Sequence, residues 1–201
     1  MADPLQVLDI CYDKQLVAYL IKDTLTPFCA VIALDITDLK TQQCVITQLA
    51  HSPCEVQWWL IGHNAKAQLS FVHTLCERFS GQVMLTKANL LEREIDSHNL
   101  ENTEQLEHNE MLNLGHVLLT IKQINSEHEK VSLLTCDNTV FYLANKQSSL
   151  SLSVMANVIN KSGIKLDKFS SIFLPNFIEV QRKQMSHVTG WQLNECLTRH
   201  N

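Results

Sequence analysis

Apolar positions fall in blocks of two lengths over the first 86 residues. Short, largely apolar blocks occupy 5–10, 29–36 and 82–86, and the block 55–61 carries two adjacent tryptophans. Blocks of this length, rich in β-branched and aromatic residues, predict strands. Longer blocks separate them. Positions 13–24 place Leu16, Val17, Leu20 and Ile21 at helical spacing, and Pro27 ends the pattern. A second helix is predicted after a cap at Thr37 or Asp38, with Val45, Ile46 and Leu49 on one face and a break at His51-Ser52-Pro53. A third, opened by Asn64, spans about 65–79. It carries Leu69, Val72, Leu75, Cys76 and Phe79 at core spacing, and Ser80-Gly81 closes it in a C-cap pattern.

From 89 to 125 the pattern reads as helical, with a polar break at 97–102 and an amphipathic second half: Leu112, Val117, Leu118, Ile121 and Ile124. A buried strand is predicted at 131–136. A helix follows from Asp137 or Asn138 to Asn145, another covers 149–160, and a last strand at 171–174 is stopped by Pro175. The alternation predicts an α/β fold: a mostly parallel sheet of about five or six strands with helices on both faces, plus a long acidic helical segment. The 201 residues divide into a single α/β domain over 1–180 and a polar tail or helix over 181–201.

Composition narrows the function classes. An apolar share of 45% is enough for a packed core. The net charge of -5 lacks the basic surplus that neutralises phosphates, so nucleic acid is not an expected partner. The seven cysteines are an odd number and sit mostly in apolar runs, as free thiols do in a reducing compartment; cytoplasm is the expected location. No apolar run is long enough to span a bilayer, and the N-terminal residues lack the basic and apolar stretches of a signal peptide. Only five glycines are present, at 62, 81, 115, 163 and 190. Loops that cradle phosphates need several glycines close together, so no cofactor is expected and catalysis is disfavoured.

Three patterns carry candidate chemistry. Asp35 and Asp38 follow one apolar block and Asp137 another, and strand ends are where ligands bind in open α/β sheets. The segment LLTCDNTVFYLANK around Asp137 resembles the strand–Asp–helix step of PIN-type nucleases. The resemblance implies a metal-dependent site of Asp35, Asp137 and a helix carboxylate, Glu94 or Glu92, although an additional strand and helix precede Asp35. The sequence favours reading the same aspartates as helix caps. CAVIALDITD and LTKANLLEREI resemble part of a phosphorelay receiver, with Asp35, Thr86 and Lys87 at matching positions, but Asp9 lies too near Asp35 to supply the upstream acidic pair. Pro53-Cys54 resembles a fragment of a zinc-deaminase signature, with Gln57 where a second Cys would stand. No C-x-x-C, H-E-x-x-H or G-x-S-x-G motif occurs.

The most distinctive feature is acidic. Glu101, Glu104, Glu107 and Glu110 recur at threefold spacing behind Glu92, Glu94 and Asp96, and Arg93 alone opposes them over 92–110. On a helix this spacing makes an acidic face, either solvated or matched to a basic partner. Trp58 and Trp59 point to opposite faces of their strand, and Trp191 is a candidate interface anchor. Together these features favour a non-catalytic adaptor or chaperone-like subunit. It would bind a protein partner with a basic or amphipathic segment through Glu101, Glu104, Glu107, Glu110 and Trp191. By composition it resembles the small acidic adaptors and chaperones of bacterial secretion systems. The alternatives are a divergent PIN-like nuclease or a degenerate receiver-like domain. Oligomeric state is open.

Overall fold

The computed structural model describes residues 4–62, 65–86, 103–125, 130–136, 139–144, 171–173 and 187–188. Strands β1 (Leu5–Tyr12) and β2 (Gln15–Asp23) form an antiparallel hairpin. Its two-residue turn holds Asp13 at φ 47° and Lys14 at φ 66°, the left-handed pair that matches hairpin twist. The predicted helix at 13–24 is therefore β2. This strand is buried on both faces: Val17 and Leu20 enter one core, Leu16, Tyr19 and Ile21 the other. A doubly buried strand shows an unbroken apolar run, which a helical template also fits.

The next elements follow the sequence pattern closely. They are β3 (Phe28–Ala33), α1 (Leu39–His51), β4 (Glu55–Ile61), α2 (Ala65–Phe79) and β5 (Gln82–Thr86). Asp38 caps α1 as a capping box: its carboxylate accepts from the Lys40 and Thr41 N–H groups at 2.9 and 2.8 Å, and its own N–H donates to Thr41 Oγ1. Ser80 and Gly81, at φ 59° and 94°, end α2. With β6 (Thr103–Leu106) these strands form one sheet in the order β1-β2-β3-β4-β5-β6. β1 pairs with β2 and β2 with β3 antiparallel, and β3 through β6 pair in parallel.

A second sheet holds β7 (Met111–Asn113), β8 (Leu118–Asn125), β9 (Lys130–Cys136), β10 (Thr139–Ala144), β11 (Ser171–Phe173) and β12 (His187–Val188), in the order β12-β11-β10-β9-β8-β7. All its neighbours pair antiparallel except β10 with β11. The two sheets face each other across a core that includes Tyr19, Ile32, Leu60 and Met84 from the first and Leu119, Ile121, Leu134 and Phe141 from the second. The Tyr19 and Phe141 rings lie 5.9 Å apart. Both helices among the described residues cover the opposite face of the first sheet, through Val45, Leu49, Leu69, Val72 and Leu75.

This architecture overturns the expected parallel sheet with helices on both faces. One face of the first sheet meets helices and the other meets a second, largely antiparallel sheet. The expected acidic helix over 89–125 is also absent where the residues are described: β6, a turn, β7 and β8 occupy 103–125. Leu112, Leu114, Val117, Leu119 and Ile121 are buried, whereas Met111 and Leu118 are exposed. That is twofold alternation, and the Gly115-His116 turn shifts its phase so that the whole run mimics helical spacing. The helix expected after Asp137 is β10, an extended strand with Val140, Phe141 and Leu143 buried. The helix expected at 149–160 lies outside the described residues, as does the 181–201 tail apart from β12. No helix among the described residues is long and apolar enough to cross a membrane.

Candidate functional site

The carboxyl ends of β3 and β4 are the natural place for a ligand, because the chain leaves the sheet there and the next helix begins. After β3, the Leu34 and Asp35 N–H groups both donate to Val17 O at 3.0 Å, folding the exit against β2. Asp35 is half-buried and its carboxylate accepts from Thr37 Oγ1 at 3.3 Å. After β4, the Gly62 N–H donates to Ala33 O at 2.7 Å. A Cβ on Gly62 would fall 2.9 Å from that same oxygen and 2.8 Å from Leu34 Cδ2, so the close approach of the two strand exits requires glycine. On α2, buried Gln68 spans the two exits: its Oε1 accepts from the Ile36 N–H at 2.9 Å and its Nε2 donates to Leu34 O at 3.2 Å. This end of the molecule is thus held by main-chain bonds and one amide side chain.

The opposite end contains a second polar cluster. Asp23, 1% exposed at the end of β2, accepts from the Leu25 N–H at 2.8 Å, Thr26 Oγ1 at 3.0 Å and the His116 N–H at 2.6 Å. The His116 ring stands 3.3 Å from the same carboxylate. Burial alone would raise the Asp23 pKa, but the hydrogen bonds from His116, Leu25 and Thr26 outweigh it and hold the carboxyl below its ordinary value. Gly115 sits at φ +100°, and a Cβ there would come within 2.7 Å of Asp23 Oδ2. Leu114 O also lies 3.0 Å from Thr26 Oγ1, an alternative acceptor for its single proton. The cluster ties the β2–β3 turn of the first sheet to the β7–β8 turn of the second. An Asp–His–Thr set looks catalytic in a list of residues. Here the one carboxylate accepts from both His116 and Thr26, so the histidine is not placed to take the threonine's proton.

The residues singled out from sequence are dispersed. Asp35 lies at the β3 exit and Asp38 in the α1 cap, whereas Asp137, Glu92, Glu94, Glu101, Lys87 and Trp191 lie outside the described residues. Glu104 is on β6, and Glu107 and Glu110 are in the turn that follows, where the Glu107 N–H donates to Glu110 Oε2 at 2.7 Å. These glutamates therefore do not share a helix face. Trp59 is buried on the helix side and donates to Ser80 O at 2.7 Å, whereas Trp58 faces the second sheet and donates to Asn113 O at 3.2 Å. Asp23, Gln68 and His116 were missed. Asp23 with Thr26 fits a local turn, but its partner at 116 is 93 residues away and leaves no local signal.

No family model and no curated protein matches the sequence. Solved structures do match the fold. A crystal structure of ETHE1 from Myxococcus xanthus superposes with a TM-score of 0.63 at 12% identity, covering 97% of this chain and 83% of that one. A metallo-β-lactamase from Staphylococcus aureus gives 0.63 at 15% identity, covering 99% of this chain and 65% of that one. An archaeal metallo-β-lactamase superfamily protein from Sulfolobus tokodaii gives 0.58 at 8% identity, covering 99% and 86%. These likenesses overturn the adaptor and secretion-chaperone reading, and neither the nuclease nor the receiver alternative matches the architecture they share. The neighbours' name implies a metal, yet among the described residues no group of three or more His, Cys, Asp or Glu side chains could hold one. Where β4 hands over to α2, the described residues are Gly62, Ala65, Lys66, Ala67 and Gln68, which do not form a metal donor set. The chain has a metallo-β-lactamase-like fold.

Proposed function

We propose that this chain is a hydrolase-type domain whose substrate sits outside the carboxyl ends of β3 and β4. The observation that carries the reading is the fold: a helix-covered mixed sheet facing a second sheet, shared with a metallo-β-lactamase and a superfamily relative across 99% of this chain. The tight strand exits, bound through Gly62 and Gln68, supply a rigid floor for such a site. Because the described residues do not fit a metal, no hydrolytic step is assigned to one. His63, between Gly62 and Asn64 in the sequence, is the only imidazole at the β4–α2 junction and lies outside the described residues. No disulfide joins the six described cysteines, which supports a reducing, cytoplasmic setting.

The test pairs metal content with activity. The purified full chain is analysed for bound metal by mass spectrometry and assayed against a β-lactam, an aryl ester and a thioester, with and without added zinc. Hydrolysis of any of these, reduced by His63→Ala without loss of fold, supports the reading. Absence of hydrolysis under every metal condition overturns it.

A further inference from the structure

Cys29 and Cys54 lie 25 positions apart in sequence, yet their sulfurs are 3.1 Å apart. Cys29 is the second residue of β3 and completely buried, packed in the core beneath the helices. Cys54 stands just before β4 and is half-buried against the same core. Pairing between β3 and β4 sets the approach: Phe28 lies opposite Glu55 and Cys29 opposite Val56, with a register shift after Cys29. The Glu55 N–H donates to Pro27 O at 2.6 Å and the Cys54 N–H to Ser52 O at 2.7 Å, so both backbones are tied where the sulfurs meet. From the neighbouring strand, Lys22 pairs with Cys29 in register and brings a positive charge near both thiols.

We propose that Cys29 and Cys54 form a redox-active dithiol, closed to a disulfide by a small disulfide of the glutathione type. This inference goes beyond the hydrolase reading and does not depend on it. The sulfurs need to close by about 1 Å to reach bonding distance. The two thiols divide the work. The hydrogen bond from Cys29 lowers the Cys54 pKa to about 7 against the effect of burial, and Lys22 assists. The same bond and the burial of Cys29 raise the pKa of its thiol. Cys54 is thus the attacking thiolate and Cys29 the resolving thiol. Cys54 attacks one sulfur of the small disulfide, forming a mixed disulfide and releasing one glutathione thiolate. Cys29 then gives up its proton, attacks the Cys54 sulfur and expels the second glutathione. Two protein thiols become one disulfide, one small disulfide becomes two thiols, and the two protons end on the released thiols.

The experiment incubates the full native chain across a series of reduced-to-oxidised glutathione ratios, traps free thiols by alkylation and maps them by peptide mass spectrometry. The expected result is loss of two alkylation sites out of seven, those of Cys29 and Cys54, joined in one linked peptide pair. Oxidation is expected to raise Tm by about 5–10 °C, as a cross-link across a loop of this length does in a domain of this size. Cys29→Ser, or Cys29→Ala if the serine variant fails to fold, is expected to trap the mixed disulfide on Cys54. Full alkylation of both cysteines at every ratio would overturn the proposal, and so would a linkage joining either one to another cysteine. Mapping in the wild-type chain decides the matter even if neither variant folds.

Discussion

The two faces of the first sheet are built from different kinds of information. The helix-covered face draws its side chains from 10–85, and the residues that cover it follow directly in the chain. The other face joins residues 16–106 of the first sheet to partners at 112–143. On the first face each element announces itself locally: a capping box at Asp38, a left-handed stop at Ser80-Gly81 and helical apolar spacing between. On the second face, strands are satisfied by strands far away, so their apolar runs carry no signal of what covers them. The difference shows that a strand buried on both sides does not reveal whether a helix or a sheet lies above it.

Substitutions can separate the faces. The largest effects are expected from Trp59→Ala on the helix side and Phe141→Ala between the sheets, each costing about 3–5 kcal/mol as a cavity in a filled core. Urea unfolding followed by far-ultraviolet circular dichroism and by tryptophan fluorescence checks this. A single coincident transition in both variants means that the faces form one cooperative unit. Helical signal that outlasts the fluorescence change in Phe141→Ala would show that the second sheet unfolds separately.

A smaller loss is expected at the end where the sheets are tied together. Asp23→Ala leaves the His116 and Leu25 N–H groups without their buried acceptor, at about 1–3 kcal/mol. Because the folded carboxyl titrates below its unfolded value, this stabilisation is complete above about pH 4 and is lost as the pH falls through the lower folded value. The wild type should therefore lose stability in acid more steeply than Asp23→Ala. Parallel curves for the two proteins would remove the carboxylate from the account. The smallest effect is expected from Asp38→Ala, which removes an exposed cap from α1 alone. A thermal melt checks it, and a loss comparable to Trp59→Ala would mean that Asp38 does more than cap.

Much of the first half was legible. The strand at 55–61 and the helix at 65–79 appear at the expected bounds, and the adjacent tryptophans point to opposite faces as expected. The first hairpin was misread because Asp13 can open a helix as well as enter a tight turn, and Lys14 at φ 66° gives no warning in its identity. The site was less legible than the fold. Gln68 spans the strand exits through bonds to residues 32 and 34 positions away, and glutamine in the first turn of a helix ordinarily faces water. The acidic repeat misled because threefold spacing has meaning only on a helix, and β6 and its turn scatter the same glutamates.

By itself, the sequence determined some of the places where the chain turns and which residues must leave water: a cap at Thr37 or Asp38, the stop at Ser80-Gly81 and the apolar blocks of both cores. Those are local, since each depends on backbone conformation or side-chain chemistry within a few residues. Only the tertiary structure decided that a second sheet, rather than helices, covers half of the first, that Asp23 meets His116, and that Cys29 meets Cys54. Each of these is a contact between segments distant in the chain, made when packing brings together surfaces whose composition alone does not name their partner.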